Sequence, residues 1–196
     1  MCEQFDFGYI DINRTPNVDK EDFMQINFSE LTVPQSDACV IFVNKDFEFN
    51  GLAASINKEI DTDLHAVFQN ANFKAAVGTS LEILAPAGVS FERLIVIGLG
   101  DKDLNEQDNV ELGAAVCAKL LNSGSNNAFI TADFIGADAT LIAEGALLRS
   151  YRFDKYKTKN NEKNKPSLTS LTVMTNDLEG SGDRFSERSK VIDGVF

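Results

Sequence analysis

With 196 residues, 43% of them hydrophobic, the chain has the size of one large domain and enough apolar material to bury a core, which excludes disorder of the whole. A formal net charge of −12 removes any general attraction to nucleic acid or anionic membrane, because both need a basic face to displace counterions. Cys2, Cys39 and Cys117 are odd in number and far apart, so they supply neither a disulfide framework nor a Cys-x-x-Cys metal motif. The N-terminal MCEQFDFGYID is acidic where a leader peptide is basic, and no apolar run reaches the length of a membrane span. These features together predict a soluble cytoplasmic protein with reduced, buried thiols.

Along the chain, β-rich apolar segments alternate with segments of helical period. Strands are predicted at MQINFSEL (24–31), ACVIFVN (38–44), TSLEILAP (79–86), RLIVIGLG (93–100), NAFITADF (127–134) and SLTSLTVMT (167–175). The LIVI run is apolar on both faces, which suits a central strand covered by helices on each side. Leu52, Ile56 and Ile60 recur every four residues, and Leu64, Val67 and Phe68 continue an apolar face past a cap at Thr62, as one broken helix or two short ones. Asp108 with Glu111 has the form of a capping box, followed by the stripe Leu112, Gly113, Val116, Cys117, Leu120 and Leu121. Asp138 precedes a further helix on which Leu141, Ile142, Gly145 and Leu148 share a face. Gly113 and Gly145 each cost a helix interior about 1 kcal/mol relative to alanine, so each is expected to permit close packing on the sheet. The alternation predicts a layered α/β domain around a largely parallel or mixed sheet.

Candidate chemistry is sparse. The sole histidine, His65, sits on a predicted helix without a nearby cysteine, and Glu59, Asp61 and Asp63 around it do not form a metal-ligand pattern. The GSG at 180–182 lacks the Gly-x-Ser-x-Gly of a nucleophile elbow and reads as a turn in a polar loop. At GLGDKD (98–103) a dinucleotide fingerprint would need glycine where Asp103 stands. Asp101, Asp103, Glu106 and Asp108 moreover crowd the helix entrance, where they would repel a phosphate while favouring the helix dipole. A tight strand exit is the reading these residues favour. The stretch 144–166 runs against the charge of the chain: Arg149, Arg152, Lys155, Lys157, Lys159, Lys163 and Lys165 face only Glu144, Asp154 and Glu162. Its aromatics Tyr151, Phe153 and Tyr156 interleave with cations, which admits a nucleic-acid surface at residues 149–165. The acidic bulk favours a helix end whose cations suit the carbonyl dipole.

RLIVIGLGDKD, ELGAAVCAKLL and AEGALLRSYRFDKYKTK, in this order and spacing, resemble the N-terminal domain of the leucyl aminopeptidase, or cytosol aminopeptidase, family. The resemblance covers most of residues 20–196, and its most specific element is the Glu-Gly helix leading into Tyr151, Phe153, Tyr156 and Lys157. It implies a macro-domain-like α/β/α sandwich, followed by a linking helix and a C-terminal catalytic domain in which two divalent metal ions, zinc or manganese, activate water to release the N-terminal residue of a peptide. It further implies a homo-hexameric full-length protein, and some members of the family bind DNA.

The family's Asn-Thr-Asp-Ala-Glu-Gly-Arg stretch and its lysine-aspartate stretch are both missing from these residues. Accordingly no catalytic, cofactor-binding or metal-binding residue is assigned, no cofactor is expected in this chain, and the chain is expected to be inactive alone. FSERSKVIDGVF sets Val191, Ile192, Val195 and Phe196 at helical spacing, an apolar face that implies a continuation. The expected organisation is an N-terminal domain over 1–184 and the start of a linker helix over 185–196. Its expected partner is its own catalytic domain, through which alone peptide substrates would be met. Two other readings remain open: a macro-domain-like binder of an ADP-ribose-type ligand at the strand ends, and a nucleic-acid module.

Overall fold

The computed structural model describes residues 24–35, 37–101, 103–151 and 166–193. Their order is β1 (Gln25–Ser29), β2 (Ala38–Asn44), α1 (Gly51–Glu59), α2 (Leu64–Asn70), β3 (Ser80–Leu84), β4 (Arg93–Gly100), α3 (Glu106–Leu120), β5 (Asn127–Thr131), α4 (Ala139–Ser150), β6 (Ser170–Met174) and α5 (Leu178–Asp193). The six strands form one sheet in the order β1-β6-β5-β2-β4-β3. Five run parallel, and the edge strand β3 is antiparallel to β4.

Pleat alternation divides the core in two. On β4, Ile95 and Ile97 face the layer of α3 and α4, whereas Leu94 and Val96 face α1 and α2. On β2, Val40 and Phe42 join the first layer, and Cys39, Ile41 and Val43 join the second. Burial on both faces is why these two strands read as continuous apolar runs rather than alternating ones. The result is the layered α/β/α sandwich expected, with a mostly parallel sheet.

The helices differ from expectation in four places. The 52–68 region forms two helices, and the second is capped by Asp63, whose side chain accepts from the Ala66 amide at 3.2 Å, rather than by Thr62. The capping box of α3 lies one turn before the predicted one. Asn105 accepts from Asp108 N and Asp108 from Asn105 N, both at 3.0 Å, while Glu111 is left to accept from Gln107 on the surface. On α4, Asp138 caps Thr140 and Leu141 as expected, but Leu148 is 39% exposed and leaves the buried face. The GSG segment is not a turn: it lies in the first turns of α5, which begins at Leu178 and passes residue 185 without a break.

Gly113 and Gly145 do permit close packing, but of helix on helix rather than helix on sheet. A Cβ at Gly113 would overlap the Ile142 carbonyl, and one at Gly145 would overlap the Val110 carbonyl. The two backbones are therefore in direct contact, and the helix-propensity penalty of each glycine is offset by a contact no other residue allows.

Candidate functional site

The parallel strands all end at one pole of the sheet, where the β2–α1, β4–α3 and β5–α4 loops meet. The chain leaves β2 toward the α1/α2 layer but leaves β4 and β5 toward the α3/α4 layer. A crevice must open where neighbouring connections part to opposite faces, and this is the usual ligand position in open α/β sheets. Here it is a cleft of about 290 Å³. Phe42, Leu99, Leu104 and Phe134 supply apolar lining, and Asn44, Glu48, Asn50, Asp101 and Asp103 supply polar lining.

Each loop is fixed locally. The Asn44 side chain accepts from the amides of Asp46 and Glu48 and donates to Glu48, so the β2–α1 loop folds around it. Within that loop Phe47 adopts a left-handed φ of 59°, a strained state for a bulky residue, held by its contacts with Phe68 and Phe73. The β5–α4 loop is held by Asn109, which donates to the Gly136 carbonyl at 3.0 Å and accepts from the Asp138 amide at 2.8 Å. Phe134 closes the loop against Phe42 with ring centroids 4.6 Å apart.

The electrostatics of the pole are those of an anion-filled site. Asn50 occupies the N-cap position of α1 yet makes no capping hydrogen bond. Asp133, from the far side of the cleft, places Oδ2 at 2.5 Å from the Leu52 amide, and Gly51, with φ 53°, leaves the space that this carboxylate fills. The position that would receive a phosphate at this helix end holds the chain's own carboxylate. At the rim, Lys45 donates to Asp101 at 2.6 Å. That pairing holds the Asp101 carboxyl below its ordinary range and raises the Lys45 ammonium. Glu48 and Asp103 have no such counter-ion among the described residues.

Of GLGDKD, Leu99, Gly100, Asp101 and Asp103 thus line a cleft, with carboxylates where a phosphate cradle needs donors. Gly98 is forced by the Ala75 and Ala76 backbone against it, and Gly100 by its φ of 69°. His65 is exposed on α2, edge-on to Phe47 and Phe49, and meets no second ligand: among the described residues no three His, Cys, Asp or Glu side chains could hold a metal ion. Cys39 and Cys117 are buried, and burial pushes the Cys117 thiol up to about 11 against a smaller opposing pull from Arg149. Of the basic stretch 149–165, Arg149 is exposed at the end of α4, and residues 152–165 lie outside the described residues. Sequence reading missed Asp133, Asn109 and Ile135. Asp133 and Leu52 lie 81 positions apart, and no local pattern announces that contact. Among the described residues no helix is long and apolar enough to cross a membrane.

Comparison with known proteins agrees with this architecture. Residues 40–160 match the family model described as the cytosol aminopeptidase family, N-terminal domain. A probable cytosol aminopeptidase of Rhodopseudomonas palustris is 30% identical over 183 residues, covering 89% of this chain and 36% of the relative. One from Chelativorans sp. is 32% identical over 178 residues, covering 87% and 35%. Among solved structures, a mutant of tomato leucine aminopeptidase superposes with a TM-score of 0.73 at 21% identity, over 92% of this chain and 38% of that one. The bottromycin maturation enzyme BotP gives 0.53 at 18% identity, over 78% and 30%. The chain spans just over a third of the length of the two curated relatives, and the family model it matches is that of an N-terminal domain. A six-stranded, mostly parallel α/β domain with this match over its central 121 residues belongs to the cytosol aminopeptidase family, as the N-terminal domain.

Proposed function

We propose that this chain is the non-catalytic domain of a cytoplasmic dinuclear-metal leucyl aminopeptidase. In this reading it positions a C-terminal catalytic domain that removes N-terminal residues from peptides, and it contributes to a homo-hexameric assembly. The single observation that supports the reading is the family match over 40–160 in a chain spanning 36% of a relative's length. The metal pair the family implies, zinc or manganese, does not fit the described residues. The lone histidine is exposed and edge-on to aromatic rings with no second ligand. Of the strand-end carboxylates, Asp133 caps α1, Glu48 accepts from Asn44 and Asp101 pairs with Lys45, and among the described residues no three His, Cys, Asp or Glu side chains converge. No step of hydrolysis is therefore assigned to these residues. The α5 helix, which contains the domain boundary placed between 184 and 185, is the segment suited to lead onward.

The test is hydrolysis of a leucyl-anilide by the purified chain with added manganese or zinc. Folded protein without turnover is the expected result, and metal-dependent release of leucine that survives repurification would overturn it. The position of the cleft favours one further reading, an ADP-ribose-type ligand at the strand ends. The Asp133 carboxylate at the α1 N-terminus and the carboxylates of the rim oppose it, since both repel a diphosphate. Calorimetry with ADP-ribose is expected to show no saturable heat.

A further inference from the structure

The residue beside the cleft that its packing does not explain is Ile135. It is 86% exposed, on a loop whose other members are all tied down. Asp133 is held by the α1 amide, Phe134 by Phe42, and Gly136 and Asp138 by Asn109. A single exposed aliphatic residue means little by itself, but this one stands out of the fold on a backbone fixed by its neighbours, at the lip of a cleft with an apolar floor. Rigid presentation matters because an anchor whose backbone is already ordered pays little entropy on association. Helix α5 starts at this pole and carries the chain back along α4, as the contacts of Thr140 with Ser181 and Arg184 and of Glu144 with Arg188 show, so the cleft is not its destination.

We propose that the Ile135 lip and the adjoining cleft form a docking site for a protein segment that carries a lysine or arginine next to an aliphatic residue. The aliphatic residue packs on Ile135 and Leu104. The cation lays its methylene stem along Leu99 and Phe134 and brings its charge to Glu48 and Asp103, the rim carboxylates without a counter-ion among the described residues. Charge selects this occupant over the others. An anion meets the rim and Asp133, and a second copy of the chain brings a molecule of net charge −12 against the same acidic pole. The inference is independent of the aminopeptidase reading.

The experiment uses the 196-residue chain labelled for NMR and two blocked peptides, acetyl-Leu-Lys-Leu-amide and acetyl-Leu-Glu-Leu-amide. The lysine peptide is expected to shift the Ile135 methyl and the amides of Leu99, Gly100, Leu104 and Gly136 saturably, and the glutamate peptide to leave them in place. Ile135→Ser, and separately Glu48→Gln with Asp103→Asn, weaken the lysine peptide by about fivefold each, in line with exposed apolar and rim-charge contacts. All three positions are surface ones, so the folded spectrum elsewhere stays unchanged. Equal shifts with both peptides, no shift with either, an unaltered affinity in both variants, saturable ADP-ribose binding in the cleft, or self-association lost in Ile135→Ser would each overturn the proposal.

Discussion

Helices α4 and α5 lie side by side and run in the same direction, with Thr140 beside Ser181 and Glu144 beside Arg188, yet they are held in opposite ways. Two-thirds of α4 is buried: Ala139, Thr140, Leu141, Ile142, Ala143, Gly145, Ala146 and Ser150 are all covered, and its backbone touches that of α3 at two glycines. Over its described side chains, 178–191, the longer α5 buries only Ser181 fully, rests Phe185 edge-on against Phe28 at 5.5 Å, and leaves Val191 69% exposed. The difference teaches that helix length does not measure attachment. α4 is part of the core, whereas α5, over residues 178–191, is fastened mainly through Ser181, Arg184, Phe185 and Arg188 and is otherwise half-buried or exposed.

Overfilling the α3–α4 contact should break the comparison at its strong end. Gly145→Leu is expected to lower stability by about 3 kcal/mol or more, since the new Cβ would overlap the Val110 backbone of α3, which cannot yield as a side chain can, and the gain in helix propensity is far smaller. A urea midpoint at the wild-type value would show that the two helices can move apart freely.

Alkaline titration probes the same half of the molecule. Cys117 is protonated in the fold up to about pH 11, while in the unfolded chain it ionises near its ordinary 9.0. Its folded-state value is the higher one, so the stability it lends is complete below pH 9 and is lost as the pH rises from 9 to 11, by about 2 kcal/mol. Urea midpoints compared between wild type and Cys117→Ala should converge over this range. A constant difference would mean that the thiol is not sequestered.

A weaker effect is expected at the α5 contact. Phe185→Ala should cost about 1.5 kcal/mol, because the ring is only partly buried and gives up one edge-to-face contact. Its signature is local: amide exchange across 178–190 should quicken, with β2 and β4 unchanged. Global unfolding would show that α5 belongs to the same cooperative unit as α4.

Smaller still is Arg188→Gln, which removes the 2.5 Å hydrogen bond to Glu144. An exposed pair of this kind contributes up to about 1 kcal/mol and is screened by salt, so the loss measured at low ionic strength should fade at high ionic strength. Val191→Ala should change the isolated chain least, by less than about 0.5 kcal/mol, because the side chain is 69% exposed. In a chain extended through the proposed catalytic domain, the same substitution is expected to raise amide exchange at 188–193. An equal response in the short and long chains would sink the role given to α5.

What the sequence by itself determined is what depends on near neighbours along the chain. The runs 38–44 and 93–100 became strands with the bounds predicted, because apolar β-branched residues on both faces leave a covered parallel sheet as their one good solution. Asp138 was legible as a cap because its partners are Thr140 and Leu141. The α3 box, with Asn105 in place of Asp108 as its first member, shows the limit of that legibility. Several polar residues in a row offer equivalent local pairings, and the turn chosen is set by where β4 releases the chain. Only the tertiary structure decided the rest: that Gly113 and Gly145 face each other's helices, that Asp133 caps a helix 81 positions away, and that Ile135 stands at the lip of a cleft rather than inside it. Each of these depends on which loops the sheet order brings to one pole, and that order is fixed by burying two apolar layers at once.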